Sequence, residues 1–486
     1  MKSLPQLLLS LALATGAGVS GDESRPNLLI IHTDEHNFRT LGCYRALLPE
    51  DQAFMWGKGV AVETPHIDSL ARDGALFTSF YAASPVCTPS RASFITGLYP
   101  VATGSPVNDM PLHDHMVTFA EVLKRNGYAT SYVGKWHLDG KAKPGWEPER
   151  KFGFEDNRYM YNRGHWKILE ETDDGPKVVG TFNEQKNQYR YDIADADETS
   201  FTTDFLVNRA LEIMERDKEE PFCLMLSIPD PHGPNTVRAP YDTMYDHFTF
   251  EQPVSMRAAL KDSPAWSPVK GKNSARELNQ GQLRRIFGMV KCIDDNVGRI
   301  LQYLDDTGLA ENTIVIFTSD HGDSMGEHAK HNKGTPWESS AMVPFIIRYP
   351  DHVRPGKRVH TAYTTADFMP TILGVMDVDT ADLTFHGVDG SDEFLAVQVE
   401  STGERIIYIT NAGGRWVAAA NHRYKLVLSH LDEPWLFDLE SDPHELVNLY
   451  RNPDYKAIGE ALKIELIRQM KAFNEPALEK GNLKYN

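Results

Sequence analysis

Short, continuous apolar runs alternate along this chain with stretches of helical period, and that rhythm constrains the fold more than any other feature. "NLLIIHT" (27–33), "YATSYVGKWH" (128–137), "PFCLMLSIPDPH" (221–232), "TIVIFTSDHG" (313–322) and "VPFIIRYP" (343–350) read as strands. "TFAEVLKRNG" opens a helix on Thr118 with Glu121 three residues on, a capping pattern, and carries Phe119, Val122 and Leu123 on one face. Leu206, Ala210, Ile213 and Met214 mark a second helix; Leu283, Ile286, Val290, Ile293, Val297, Ile300 and Leu304 mark a long third one. A strand with one wet face alternates polar and apolar residues, whereas a strand apolar throughout is covered on both faces. The expected fold is therefore α/β: a large mixed, mostly parallel sheet sandwiched by helices.

Polar residues gather at one end of these runs. Asp34, Lys135, His137, His232, Asp320 and His321 each follow an apolar stretch, at its C-terminal end. In open α/β sheets the ligand crevice lies outside those ends, so several strands delivering charged or imidazole groups there predict a site. Residues 141–200 lack clear period and are rich in aromatics, Arg and His; within them "RYMYNRGHWK" suits contact with a sugar ring. From Ser391 the rhythm changes to "RIIYIT", "WVAAANHRYKLVLS" and "PWLFDLESDPHELVNL", with a closing helix from about Asp454. That predicts a catalytic domain over 22–390 and a smaller antiparallel-sheet α+β domain over 391–486.

Residues 1–21, "MKSLPQLLLSLALATGAGVSG", have a Lys start, a short apolar run and a small-residue tail, the layout of a cleavable signal peptide. Export to the periplasm or medium is the expectation, without membrane insertion, since no later apolar run is long enough to span a bilayer. The net charge is −18, from 68 acidic and 50 basic residues, which disfavours nucleic acid as a partner. An anionic substrate then requires a locally basic pocket or a bound cation. Four scattered cysteines, Cys43, Cys87, Cys223 and Cys292, are no stapling framework, and no disulfide is expected.

Cys87 has a different context. It stands in "SPVCTPSRASFITGLYP", where the apolar run "ALFTSFYAA" gives way to a helix with Ala92, Phe94, Ile95 and Leu98 for packing. Pro89 suits a first helical turn. A group at position 87 therefore faces a helix N-terminus, which favours anions, and Arg91 one turn on can add positive charge.

With Cys87, Pro89, Ser90 and Arg91 matching Cys-x-Pro-Ser-Arg, the sequence resembles the sulfatase family of the alkaline-phosphatase-like superfamily. "GKWHL" (134–138), "DPHGP" (230–234), "SDHGD" (319–323), "KGTPWE" (333–338) and "LFDLESDPHEL" (436–446) extend the resemblance in order. It implies a sulfuric ester hydrolase in which a separate maturation enzyme oxidises Cys87 to formylglycine. A hydrated aldehyde suits a sulfate ester: one geminal oxygen attacks sulfur, and deprotonation of the other expels sulfate. The resemblance further implies a calcium ion held by Asp34, Glu35, Asp320, His321 and the residue-87 oxygen. Glu35 stands where the family usually has Asp, and His321 where it often has Asn.

By the same resemblance Lys135 and Lys333 bind sulfate oxygens, assisted by Arg91. His137 partners the geminal hydroxyl, and His232 protonates the leaving alkoxide. Asn332 and Gly334 place Lys333 on an exposed loop. Export and the aromatic-basic segment point to a sulfated saccharide substrate. A phosphonate or phosphodiester hydrolase of the same superfamily is the alternative, with a non-catalytic glycan-binding relative behind it. "HDH" (113–115) reads as a polar turn, His328 and His331 as neighbours of the Lys333 loop, and Phe201 and Phe205 as core.

Overall fold

The computed structural model describes residues 25–183, 185, 188–190, 193–271, 273–395, 403–411, 414–479 and 483. The expected signal peptide lies outside the described residues. Eight strands form the central sheet: β1 (Asn27–Asp34), β2 (Ala75–Phe77), β3 (Ala129–Lys135), β4 (Met160–Tyr161), β5 (Phe222–Pro231), β6 (Thr313–Ser319), β7 (Phe345–Arg348) and β8 (Lys357–Val359). Their order is β8-β2-β7-β6-β1-β5-β3-β4. β6, β1, β5, β3 and β4 run parallel, and β7 runs antiparallel to both β6 and β2, so the sheet is mixed but mostly parallel.

Two-residue alternation along β1 explains the continuous apolar runs. Leu29 and Ile31 pack with Leu224, Leu226, Val315 and Phe317 on one face, against Leu206, Ile213, Ile293, Val297 and Ile300 from the helices Thr202–Asp217 and Gln280–Thr307. Leu28 and Ile30 pack with Met225, Ile314 and Ile316 on the other, beneath Phe94, Phe119, Leu123, Phe368 and Ile372. Leu28 to Ile31 are all fully buried, each such aliphatic side chain contributing roughly 1.5–3 kcal/mol.

The run "ALFTSFYAA" divides. Only β2 joins the main sheet, while Phe80–Tyr81 pairs with Tyr363–Thr364 in a small ribbon. This bend carries the chain toward the C-terminal edge of the parallel strands, where α1 (Cys87–Thr96) begins after extended Val86. The first hydrogen bond of α1 runs from the Ser90 amide to the Val86 carbonyl, so Pro89, lying before it, costs no helical bond. Gly97, with φ 71°, closes the helix by donating to the Ser93 carbonyl.

A separate four-stranded antiparallel sheet follows, β9 (Ile407–Thr410), β10 (Trp416–Ala420), β11 (Tyr424–Ser429) and β12 (Trp435–Asp438). Val417, Ala419, Leu426, Leu428 and Leu436 pack on Leu462, Leu466 and Met470 of the helix Lys456–Ala472. Ser391–Leu395 forms a short helix whose Phe394 packs into the core of the larger sheet. All four cysteines are free. Among the described residues no helix is long and apolar enough to cross a membrane.

Candidate active site

Parallel strands bring their C-terminal ends to one edge, and the side chains there form a buried floor. Asp34 ends β1, Lys135 ends β3, and Asp320 and His321 follow β6; all four are fully buried. Arg91 ties these ends together from α1. Its Nε donates to Asp320 Oδ2 (2.8 Å), its Nη1 to the Lys135 carbonyl and to Ser227 Oγ (both 2.8 Å), and its Nη2 lies 3.5 Å from Asp34 Oδ2. Gly134, at φ 103°, permits this closeness, since a Cβ there would lie 2.0 Å from the Ser227 carbonyl oxygen. Arg91 is thus a strut beneath the site and does not line its cavity. Lys135 Nζ bonds Asp34 and lies 2.8 Å from His165 Nε2.

Cys87 stands at the junction of floor and cavity. Its Sγ is 3.2 Å from His321 Nε2, 3.1 Å from Lys333 Nζ and 3.8 Å from Asp34 Oδ1. Burial raises the thiol, but Lys135, Lys333 and His321 outweigh burial and hold it well below the ordinary thiol range. The oxygen, nitrogen or sulfur atoms of Asp34, Cys87, Asp320 and His321 all lie within 4.8 Å of one another. Two buried carboxylates, an imidazole and a small side chain that would carry oxygen after oxidation fit a divalent cation. Glu35 stands outside this group. At φ 65°, its amide bonds Asp320 Oδ1, its Oε2 meets His232 Nε2 (2.9 Å) and Lys333 Nζ (3.4 Å), and its buried Oε1 has no hydrogen-bond partner. Burial raises the Glu35 carboxyl, but His232 and Lys333 prevail and hold it at about 2.

Above the floor is a cavity of about 440 Å³, lined by Cys87, Asn108, Asp109, His137, Lys143, Arg163, Gly164, His165, Trp166, His232, Gly233, Pro234 and Lys333. His137, at φ 63° just past β3, directs Nε2 to Asp109 Oδ1 (3.0 Å), while its buried Nδ1 has no hydrogen-bond partner. With Nε2–H donating to the carboxylate, Nδ1 keeps a lone pair for accepting a proton. His232 is arranged the opposite way: Nδ1 faces the Gly233 carbonyl (2.8 Å) and Nε2 faces Glu35. Both nitrogens meet acceptors, so in either tautomer the ring's N–H has a partner. Thr88 at the start of α1 links these parts, its amide donating to Asn108 Oδ1 and its hydroxyl to the His137 carbonyl.

The aperiodic segment 141–200 supplies what motif reading missed. His165 stacks on His232 with ring centroids 3.5 Å apart and also bonds Lys135. Arg163 pairs with Asp109 at 2.9 Å. Lys167 anchors the segment by bonding Asp230 at the end of β5, and Thr203 Oγ1 donates to the other oxygen of that carboxylate at 2.9 Å. The enrichment in Arg, His and aromatics was the available signal. Asp109 had none, because it lies on a loop whose place is set by Thr88.

Lys333 is on a loop, as expected, but only 15% of its side chain is exposed. The C-terminal sheet fastens that loop. Trp416 Nε1 donates to the Gly334 carbonyl (3.3 Å), and Lys425 Nζ donates to the Pro336 carbonyl (2.8 Å) while pairing with Glu338 (2.5 Å) and Glu445 (2.8 Å). His328 stacks on Trp337 beside this loop at 3.6 Å, and His331 is half-buried. His113 and His115 stack on one another at the surface, and Phe201 and Phe205 are core.

Comparison with known proteins bears on this arrangement. The sequence profile of the family described as Sulfatase matches residues 26–378. The profile described as N-sulphoglucosamine sulphohydrolase, C-terminal, matches residues 326–472. An ulvan-active sulfatase of Formosa agariphila is 30% identical over 466 residues, 92% of this chain and 82% of that protein. An N-acetylglucosamine-6-O-sulfatase of Bacteroides thetaiotaomicron is 26% identical over 545 residues, covering 94% of this chain and 89% of the relative. A protein solved with its substrate D-glucosamine-2-N,6-O-disulfate superposes with a TM-score of 0.73 at 21% identity, covering 93% of this chain and 99% of that one. The phosphonate monoester hydrolase of Agrobacterium radiobacter does so at 0.68 and 23% identity, covering 92% and 96%. At such identities these two structures speak for the fold alone.

Proposed function

This chain belongs to the sulfatase family and is a sulfuric ester hydrolase, and from that footing we propose that it is exported and removes sulfate from a sulfated carbohydrate. The observation that carries the catalytic reading is the setting of Cys87, within 3.2 Å of His321 and 3.1 Å of Lys333, beside the carboxylates of Asp34 and Asp320. The carbohydrate assignment is supported by the names of the relatives, an ulvan-active sulfatase and an N-acetylglucosamine-6-O-sulfatase. Residues 1–21 support export.

Formylglycine at position 87, installed by a maturation enzyme, would supply when hydrated a nucleophilic oxygen and a second hydroxyl for release. Calcium would be held by Asp34, Asp320, His321 and the residue-87 oxygen, with Glu35 pairing to His232 and Lys333, and would offset negative charge at the ester. The chain's own groups divide the remaining work. Lys333 Nζ, beside residue 87, binds a sulfate oxygen. His137 Nδ1, free of a partner, accepts the proton of the second hydroxyl; His232 donates to the departing alkoxide. Lys135 and Arg91 hold the floor and balance the carboxylates.

Mass spectrometry of the peptide spanning position 87 tests the modification, and an unmodified thiol in fully active protein would refute it. Asp320→Asn should lower turnover by about 10²-fold and raise the calcium concentration needed for half-maximal rate. Full activity under chelation would remove the cation from the reading. Rates on matched aryl sulfate, phosphate and phosphonate esters separate sulfatase from phosphonate hydrolase chemistry.

A further inference from the structure

The cavity has a second cationic feature above the scissile position. Lys143 and Arg163 both line its mouth, and neither meets the inner cluster of Cys87, Lys333 and His232. Their only acidic companion among the lining residues is Asp109, and it is already shared between Arg163 and His137. Lys143 has no carboxylate within ion-pair distance among the described residues; its ammonium lies 5.3 Å from the centre of the Trp166 ring. Burial and the nearby Arg163 both push the Lys143 ammonium below its ordinary range. In a chain of net charge −18, two cations sharing one carboxylate at the cavity give it a locally positive wall.

The mouth is also built rather than loose. Asn162, fully buried, donates its side-chain amide to the carbonyls of Asp139, Gly140 and Ala142 at 3.3, 3.1 and 3.0 Å, and accepts from the Asp139 amide at 2.9 Å. The backbone amides of Asn162 and Arg163 donate to the carbonyls of Gly145 and Pro144 at 2.9 and 3.0 Å. The loop carrying Lys143 is thereby fastened to the segment carrying Arg163, so the two backbones are held in a set relation, with the exposed Lys143 ammonium resting near the Trp166 ring. Preorganised cations bind an anion with little ordering cost.

We propose that Lys143, with Arg163, forms a subsite for a second anionic group on the substrate, a carboxylate or another sulfate on the sugar that bears the scissile sulfate or on its neighbour. This rests on the carbohydrate sulfatase reading and narrows it to polyanionic saccharides. Arg163 acts both here and on Asp109, so Lys143, which touches none of the inner groups, is the clean probe.

The test uses the full, matured chain with four substrates: an aryl sulfate, a sulfated disaccharide with a uronic acid carboxylate, its methyl ester, and a disulfated disaccharide. Lys143→Ala should raise KM about tenfold for a dianionic saccharide with kcat retained, leave the aryl sulfate and methyl ester unchanged, and be rescued by Lys143→Arg. An effect confined to the acid assigns a carboxylate, and one confined to the disulfated sugar assigns a sulfate; either supports the subsite, and added salt should shrink it. Equal effects on acid and ester, or none on either dianionic substrate, would overturn the subsite while leaving the enzyme reading intact. Failure of the wild-type chain to release sulfate from any of the four would overturn both.

Discussion

The floor and the rim of the cavity are held by different physics. Asp34, Lys135, Asp320 and Arg91 sit at the ends of hydrogen-bonded parallel strands, fully buried, with each charge countered at short range. His137, His165, His232, Arg163 and Lys333 stand on loops, secured by side-chain bonds to distant segments such as Asp109, Asp230 and the C-terminal sheet. A floor fixed by the main sheet moves little when one neighbour is lost. A rim fixed by few tethers loses position when one is cut. In the proposed mechanism the floor places residue 87 and the cation's ligands, while the rim carries the proton-transferring His137 and His232 and the sulfate-binding Lys333, so reactivity depends on both.

The largest expected effect tests the floor. Cys87→Ala should reduce sulfate release by more than about 10⁴-fold, yet leave the melting temperature within a few degrees, because it removes one sulfur from a well-packed junction. Parallel loss of thermal stability and activity would make Cys87 structural. The next effect crosses to the rim from the far side. Lys425→Met leaves Glu338 and Glu445 as buried carboxylates without their cation and frees the Pro336 carbonyl, so it should cost about 3 kcal/mol in urea unfolding. It should also lower kcat by loosening Lys333; an undiminished kcat in the folded fraction would show that the C-terminal sheet does not hold that lysine.

His165→Ala removes the ring stacked on His232 and the contact with Lys135. Its kcat should fall about tenfold with a displaced pH–rate profile. A normal profile alongside reduced stability would make His165 mere packing.

The smallest effect concerns pH. Burial lifts the Glu445 carboxyl to about 7, with Lys425 opposing and Glu338 adding to the rise. Between about pH 4.5 and 7 the native state therefore keeps a proton that the unfolded chain releases, so this group's contribution to stability is lost as pH rises through that window. Glu445→Gln should flatten the dependence of unfolding free energy on pH there by up to about 1.4 kcal/mol per pH unit. Retention of the full slope would place its origin elsewhere.

Legibility followed the same division. The long strands of the main sheet and the residues at their C-terminal ends were readable because apolar runs are local properties, whereas the short edge strands β4 and β8 carry no such run. Lys333 was readable as a loop residue, but not as a largely covered one, since its loop is fastened at Gly334 and Pro336 by Trp416 and Lys425, 82 and 89 residues further along the chain. Glu35 was expected beside Asp34 at the cation; its Oε2 meets His232 and Lys333, a pairing no local pattern showed, while its buried Oε1 has no hydrogen-bond partner. Arg91 was expected near residue 87, yet four polar partners at the strand ends draw its guanidinium beneath the floor.

By itself the sequence determined the sheet's long strands, their two buried faces and the row of polar groups along one edge, because hydrophobic period and chain direction decide these wherever the strands pair. Tertiary structure alone decided which carboxylate meets which cation, brought Asp109, Arg163 and His165 into the cavity and made the C-terminal sheet a clamp on Lys333. Those outcomes depend on hydrogen bonds between segments far apart along the chain, whose partners no local pattern encodes.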